Sequence, residues 1–116
     1  SKQTPNQNLI VFLHHQKGTI MEHIDVLELK NWIDEGKLIT LLDIREKHEV
    51  DYCKLPDSTH IPMNTIPSRL GELDAQETIV VYCHTGVRSL YVCQYLSDQG
   101  FQNVLNLRID PTVPTY

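Results

Sequence analysis

The chain reads as an α/β domain built on a central parallel sheet flanked by helices. Three observations predict this. Short aliphatic or β-branched segments alternate with stretches of helical spacing along most of the sequence. Leu38 to Ile44 is almost continuously apolar, the pattern of a strand covered on both faces. Finally, Ile79-Val80-Val81-Tyr82 runs straight into the small polar loop Cys83 to Ser89 and then into a helical stretch that closes at Gly100. In folds of this class the loops that carry chemistry gather at the carboxyl ends of the strands.

The elements follow in order. Residues 1–20 are polar apart from Leu9 to Leu13 and read as an extension or linker, with a domain over 21–116. Asp25-Val26-Leu27-Glu28 fits a capping box, which predicts a helix from Val26 to Glu35 with Leu29, Trp32 and Ile33 on its apolar side and Gly36 closing it. The strand Leu38 to Ile44 comes next, and its carboxyl end delivers Asp43 and Arg45. From Glu46 to Pro62 the charge rises and Pro56, Asp57, Ser58 and Pro62 interrupt regular structure, so a loop is expected, with a brief strand near Thr59 to Ile61.

Asn64 to Leu70 reads as a short capped helix with Pro67 in its first turn, where a missing N–H costs little. Ile79 to Tyr82 is a strand and Ser89 to Gln99 a helix, with Leu90, Cys93 and Leu96 at helical spacing. Val104 to Leu107 is the final strand, and Ile109 to Tyr116, with two prolines, is an extended tail.

Composition narrows the function. A chain of 116 residues supports one core. Its longest apolar run, Leu9 to Leu13, is far below the roughly 20 residues of a membrane span and lacks the flanks of a signal peptide. With a net charge of −5 and no Lys/Arg cluster, neither nucleic acid nor an anionic membrane is an expected partner. The three cysteines, Cys53, Cys83 and Cys93, lack the spacing of a disulfide framework and suit a reducing, cytoplasmic compartment. Neither they nor the histidines have metal-ligand spacing, and no metal or cofactor is expected.

The chemistry is expected in the loop. Cys83 stands where a strand ends and the free N–H groups of a following helix begin, an environment that favours a thiolate. It is the candidate nucleophile. Gly86 permits a backbone conformation that curls the chain into a cradle of N–H donors, so His84, Thr85, Gly86, Val87 and Ser89 are candidate substrate-binding residues. Arg88 adds a planar permanent charge suited to an oxyanion, and Ser89 is expected to cap the helix. Asp43 and Arg45 are expected to support the loop through hydrogen bonds or an ion pair with Glu49, Cys93 to pack in the core, and Cys53 to be a bystander in a loop.

Read as Cys-His-Thr-Gly-Val-Arg-Ser after Ile-Val-Val-Tyr, this segment resembles the active-site loop of the rhodanese (sulfurtransferase) family. Leu41-Leu42-Asp43-Ile44-Arg45-Glu46 is similar to the family's D-x-R-E element, and Leu55 to Pro62 to its H-I-x-G-A-x-N-I-P segment. Together they cover roughly Ile24 to Leu107. The resemblance implies a three-layer α/β/α fold and a sulfurtransferase. Sulfane sulfur would pass from thiosulfate or a protein persulfide to a thiol, cyanide or a sulfur-carrier protein, through a persulfide on Cys83. Thr85 is neutral where members specialised for thiosulfate tend to be basic, which implies a preference for persulfide donors.

Cys53, Lys54 and Asp57 depart from the usual residues of the second element in a way that looks closer to rhodanese domains fused to sulfur-carrier-activating adenylyltransferases, as does the tail from Asp110. After Arg108 the family continues with two glycines and a short helix bearing a tryptophan. Here Ile109 follows at once, which reads as a stretch left out between 108 and 109 in preference to a deletion. Two alternatives stay open: a non-catalytic rhodanese-like binding module, and a phosphatase, although phosphatases of this kind use Cys-x5-Arg and this loop is one residue shorter.

Overall fold

The structure, a computed structural model, describes residues 22–53 and 55–108. Five strands, β1 (His23–Asp25), β2 (Thr40–Asp43), β3 (Thr59–His60), β4 (Thr78–Tyr82) and β5 (Asn103–Arg108), form one sheet in the order β1-β5-β4-β2-β3. Every pairing is parallel. Four α-helices accompany them: α1 (Val26–Asp34), α2 (Lys47–Tyr52), α3 (Ile66–Arg69) and α4 (Val87–Asp98). Short 3₁₀ turns at Met63–Thr65 and Leu70–Glu72 flank α3. Among the described residues no helix is long and apolar enough to cross a membrane.

Alternation along the strands makes the layers. In β4, Ile79 and Val81 face one side and Val80 the other, because successive side chains of a strand point to opposite faces. The first side packs Leu42, Ile44, Ile79, Val81 and Val104 against Val92, Cys93 and Leu96 of α4 and Ile66 of α3. On the second, Leu41, Val80, Leu105 and Leu107 pack against Leu29 of α1 and Leu55. Leu29 is fully buried, a contribution of about 1.5–3 kcal/mol for a side chain of this size. The result is the expected α/β/α architecture.

Helix α1 begins as its capping residues require: the Asp25 carboxylate accepts the N–H of Glu28 at 2.8 Å. It ends at Gly36, whose φ of +77° only glycine adopts without cost. The strand after it is shorter than its hydropathy predicts. Only Thr40–Asp43 is paired, and Leu38 is 91% exposed while Ile39 packs against the core.

The stretch from Glu46 to Pro62, expected to be loop, contains helix α2. Its start is a reciprocal capping box in which the Glu46 N–H donates to Glu49, and Lys47 pairs with Asp51 one turn on. No side chain of α2 is buried, so it leaves no hydrophobic period to read. Asp57, where the family places glycine, takes a left-handed φ of +57°, a conformation that Asp tolerates better than most residues. The expected N-terminal extension, the tail from Ile109 and the proposed missing stretch after Arg108 lie outside the described residues.

Register places the site. Asp43 pairs with Tyr82 in the sheet, and the N–H of Ile44 donates to the Tyr82 carbonyl at 3.1 Å. The loops leaving β2 and β4 therefore start side by side at the carboxyl edge.

Candidate active site

Cys83 follows the last residue of β4, and α4 starts four residues later at Val87. Between them Gly86 takes φ +83° and serves as N-cap. A Cβ there would meet only ordinary contacts, Leu107 O at 3.8 Å and Asn106 Nδ2 at 4.0 Å, so the backbone angle rather than space calls for glycine. That angle turns the amides inward. The N–H of Gly86 donates to Cys83 Sγ at 3.1 Å and the N–H of Ser89 at 3.2 Å. Both are first-turn groups with no partner inside a helix, so they stabilise negative charge on sulfur through direct hydrogen bonds and the helix dipole together. Cys83 is fully buried beneath the loop.

Ser89 does not cap the helix, contrary to expectation. It sits in the first turn, fully buried, and Gly86 holds the cap position. Its hydroxyl accepts the Cys83 thiol at 3.4 Å and donates to Asn106 Oδ1. Asn106, 3% exposed on β5, reaches on to His23 Nδ1 at 3.3 Å. A polar chain, buried through Ser89 and Asn106, thus runs from the sulfur to the exposed His23 at the far edge of the sheet.

A second set of contacts braces the loop from β2. Arg45 donates from Nε and Nη2 to the two Asp43 carboxylate oxygens at 3.0 and 2.8 Å, and from Nη2 to the carbonyl of Cys53 at 2.6 Å. Its guanidinium lies 4.9 Å from the centre of the Tyr82 ring. These bonds fix both ends of α2, which presents Glu49 to the loop. Glu49 pairs with Arg88 and not with Arg45: Arg88 Nη1 and Nη2 donate to Oε1 and Oε2, each at 3.0 Å. The Arg88 guanidinium, aided by the Glu46 N–H, holds the Glu49 carboxyl down at about 2.

The rhodanese-like domain family matches residues 25–109 of the chain, well over half of it. The chain belongs to the rhodanese-like family. Among its relatives is a protein of Allochromatium vinosum named as a sulfurtransferase, 36% identical over 89 residues, which span 77% of this chain and 83% of that protein. MoeZ of Mycobacterium tuberculosis, named as a probable adenylyltransferase/sulfurtransferase, is 34% identical over 83 residues, 70% of this chain but 21% of MoeZ. The crystal structure of a rhodanese-like domain protein from Staphylococcus aureus is similar with a TM-score of 0.72 at 34% identity, covering 76% of this chain and 85% of that one.

Within this rhodanese-like domain, the expected site residues divide into two groups. Gly86 and Ser89 reach Cys83 through their amides. His84, Thr85 and Val87 expose their side chains, and the Val87 N–H bonds Thr85 Oγ1 at 3.4 Å. Arg88, expected to face an incoming anion, is instead tied to Glu49, and Asp43 and Arg45 hold each other away from the sulfur. Leu90, placed on the packed side of the helix by its spacing, is 37% exposed, and Val92 packs with Cys93 and Leu96. Burial pushes the Cys93 thiol up to about 12, with the neighbouring Cys83 adding to the effect, so Cys93 stays neutral in the core. Cys53 is exposed. Sequence reasoning missed Asn106 as a site residue, although it is the one polar residue in Val104-Leu105-Asn106-Leu107.

Proposed function

We propose that this domain is a sulfurtransferase that carries sulfane sulfur as a persulfide on Cys83, taking it from thiosulfate or a persulfide donor and passing it to a thiol, cyanide or a sulfur-carrier protein. The observation that carries the reading is the convergence of the Gly86 and Ser89 N–H groups on one sulfur. In the first half-reaction the Cys83 thiolate attacks the outer sulfur of the donor. A new S–S bond forms, the donor's S–S bond breaks, and its electron pair leaves with sulfite or the donor thiolate. In the second, the acceptor attacks the terminal sulfur and the electron pair returns to Cys83.

Both steps begin or end with a thiolate in the ring of amides, which is the charge that ring favours. Kinship with proteins named sulfurtransferase supports the reading. Three free cysteines fit a reducing, cytoplasmic compartment.

The test is intact mass after incubation with thiosulfate or cysteine persulfide. The wild type should gain the mass of one sulfur atom and lose it to cyanide, whereas Cys83→Ser should gain nothing. A wild type left unlabelled by both donors sinks the assignment.

A further inference from the structure

We infer that Glu49 sets which sulfur donor the Cys83 loop accepts, by holding Arg88 in a neutral pair that disfavours dianionic thiosulfate relative to monoanionic persulfides. The inference rests on the sulfurtransferase reading and names the substrate class within it. Arg88 lies between Val87 and Ser89, next to an amide that touches the sulfur, so it is the loop's own cation. Both of its terminal nitrogens are engaged by Glu49, in a pair that stays partly open to solvent at 34% and 26% exposure.

Glu49 is held from two sides. Its Oε1 also accepts the Glu46 N–H at 2.8 Å within the capping box, so the carboxylate is anchored by its own helix as well as by Arg88. The neighbouring Arg45 is satisfied by Asp43, while Glu46 adds a negative charge that Arg88 feels. A ligand at this rim therefore meets one neutralised arginine, Arg88, and a surplus carboxylate, while Arg45 is buried in its own pair with Asp43.

The cost of that field scales with ligand charge. Thiosulfate enters as a dianion and must leave a dianion, sulfite, behind when the Cys83 thiolate takes its outer sulfur. A persulfide, R–S–S⁻, brings one charge to the same attack and leaves one, the thiolate R–S⁻. The site thus penalises thiosulfate twice as strongly on a logarithmic scale.

Glu49→Gln is the discriminating variant. Its Oε1 still accepts from the Glu46 N–H, but its amide nitrogen cannot accept from Arg88, so one edge of the guanidinium is released and a negative charge is lost. The expected result is a KM for thiosulfate about tenfold lower and a KM for cysteine persulfide about threefold lower, with the gap narrowing as salt is raised. A ratio of the two KM values equal to that of the wild type, or the same loss of kcat with both donors, marks Glu49 as purely structural and overturns the inference.

Equilibrium binding of thiosulfate to Cys83→Ser and to Cys83→Ser/Glu49→Gln needs no turnover and separates the two claims. Tighter binding in the double variant, by about tenfold, supports the charge filter even if the wild type transfers no sulfur, in which case only the enzyme assignment falls. Equal binding overturns the filter even if transfer is observed.

Discussion

The backbone N–H of Ser89 points at Cys83 Sγ from 3.2 Å, while the hydroxyl of the same residue turns to Asn106 on the neighbouring strand. One residue thus joins the helix end to the sulfur and the sulfur to the sheet. Asn106→Ala leaves the buried Ser89 hydroxyl without its acceptor, and an unmatched buried polar group costs about 1–3 kcal/mol. Urea denaturation should show a loss of that size, and Ser89→Ala/Asn106→Ala should lose less than the two single changes added together. Strict additivity would mean that the two side chains do not act as a pair.

Gly86→Ala places a Cβ on a backbone held at φ +83°, where it meets only ordinary van der Waals contacts. The left-handed conformation costs a non-glycine residue roughly 1–2 kcal/mol. If the loop relaxes to escape that cost, the Gly86 amide leaves the sulfur. Sulfur loading of Cys83 should slow by at least about tenfold while the melting temperature drops by only a few degrees. Loading at the wild-type rate would show that the Gly86 N–H is not needed.

The Glu49 carboxyl, held at about 2 by its hydrogen bonds from Arg88 and Glu46, has a folded-state value below its ordinary 4.5. Its contribution is therefore complete above pH 4.5 and is lost as the pH falls towards 2. Because the pair is partly solvated, the contribution is about 1 kcal/mol after screening. Chemical denaturation of wild type and Glu49→Gln should differ by that amount at pH 6, and the difference should shrink steadily below pH 4.5 and vanish only below about pH 2. A constant difference across this range would separate the stability effect from ionisation.

Thiol reactivity should follow burial. In Cys83→Ser, the exposed Cys53 should react with a disulfide reagent within minutes at pH 8, whereas Cys93, buried and pushed up to about 12, should react only on unfolding. Fast reaction of both thiols in the folded protein would mean that the packing of α4 on the sheet opens readily.

Much of the fold was legible because its signals are local. The apolar run around Leu41 and Leu42, the cap at Asp25 and the strand-loop-helix through Cys83 each lie within one window, and each is present, although the strand is shorter than read and the helix starts at Val87 with Gly86 rather than Ser89 as its cap. Helix α2 was not legible, because its residues bury nothing and its cap uses two glutamates rather than the usual serine or threonine. Leu90 misled for a related reason: helical spacing fixes which residues share a face, while the position of the sheet decides which face is covered.

For the site, sequence alone determined the nucleophile candidate, the glycine that bends the loop and the helix behind it, since all three depend on neighbours within seven residues. Only the tertiary structure decided where the charges go. Arg88 meets Glu49 across 39 positions and Ser89 meets Asn106 across 17. Those partners are chosen by parallel register, which aligns strand ends drawn from distant parts of the chain and leaves no trace in the spacing of any single segment.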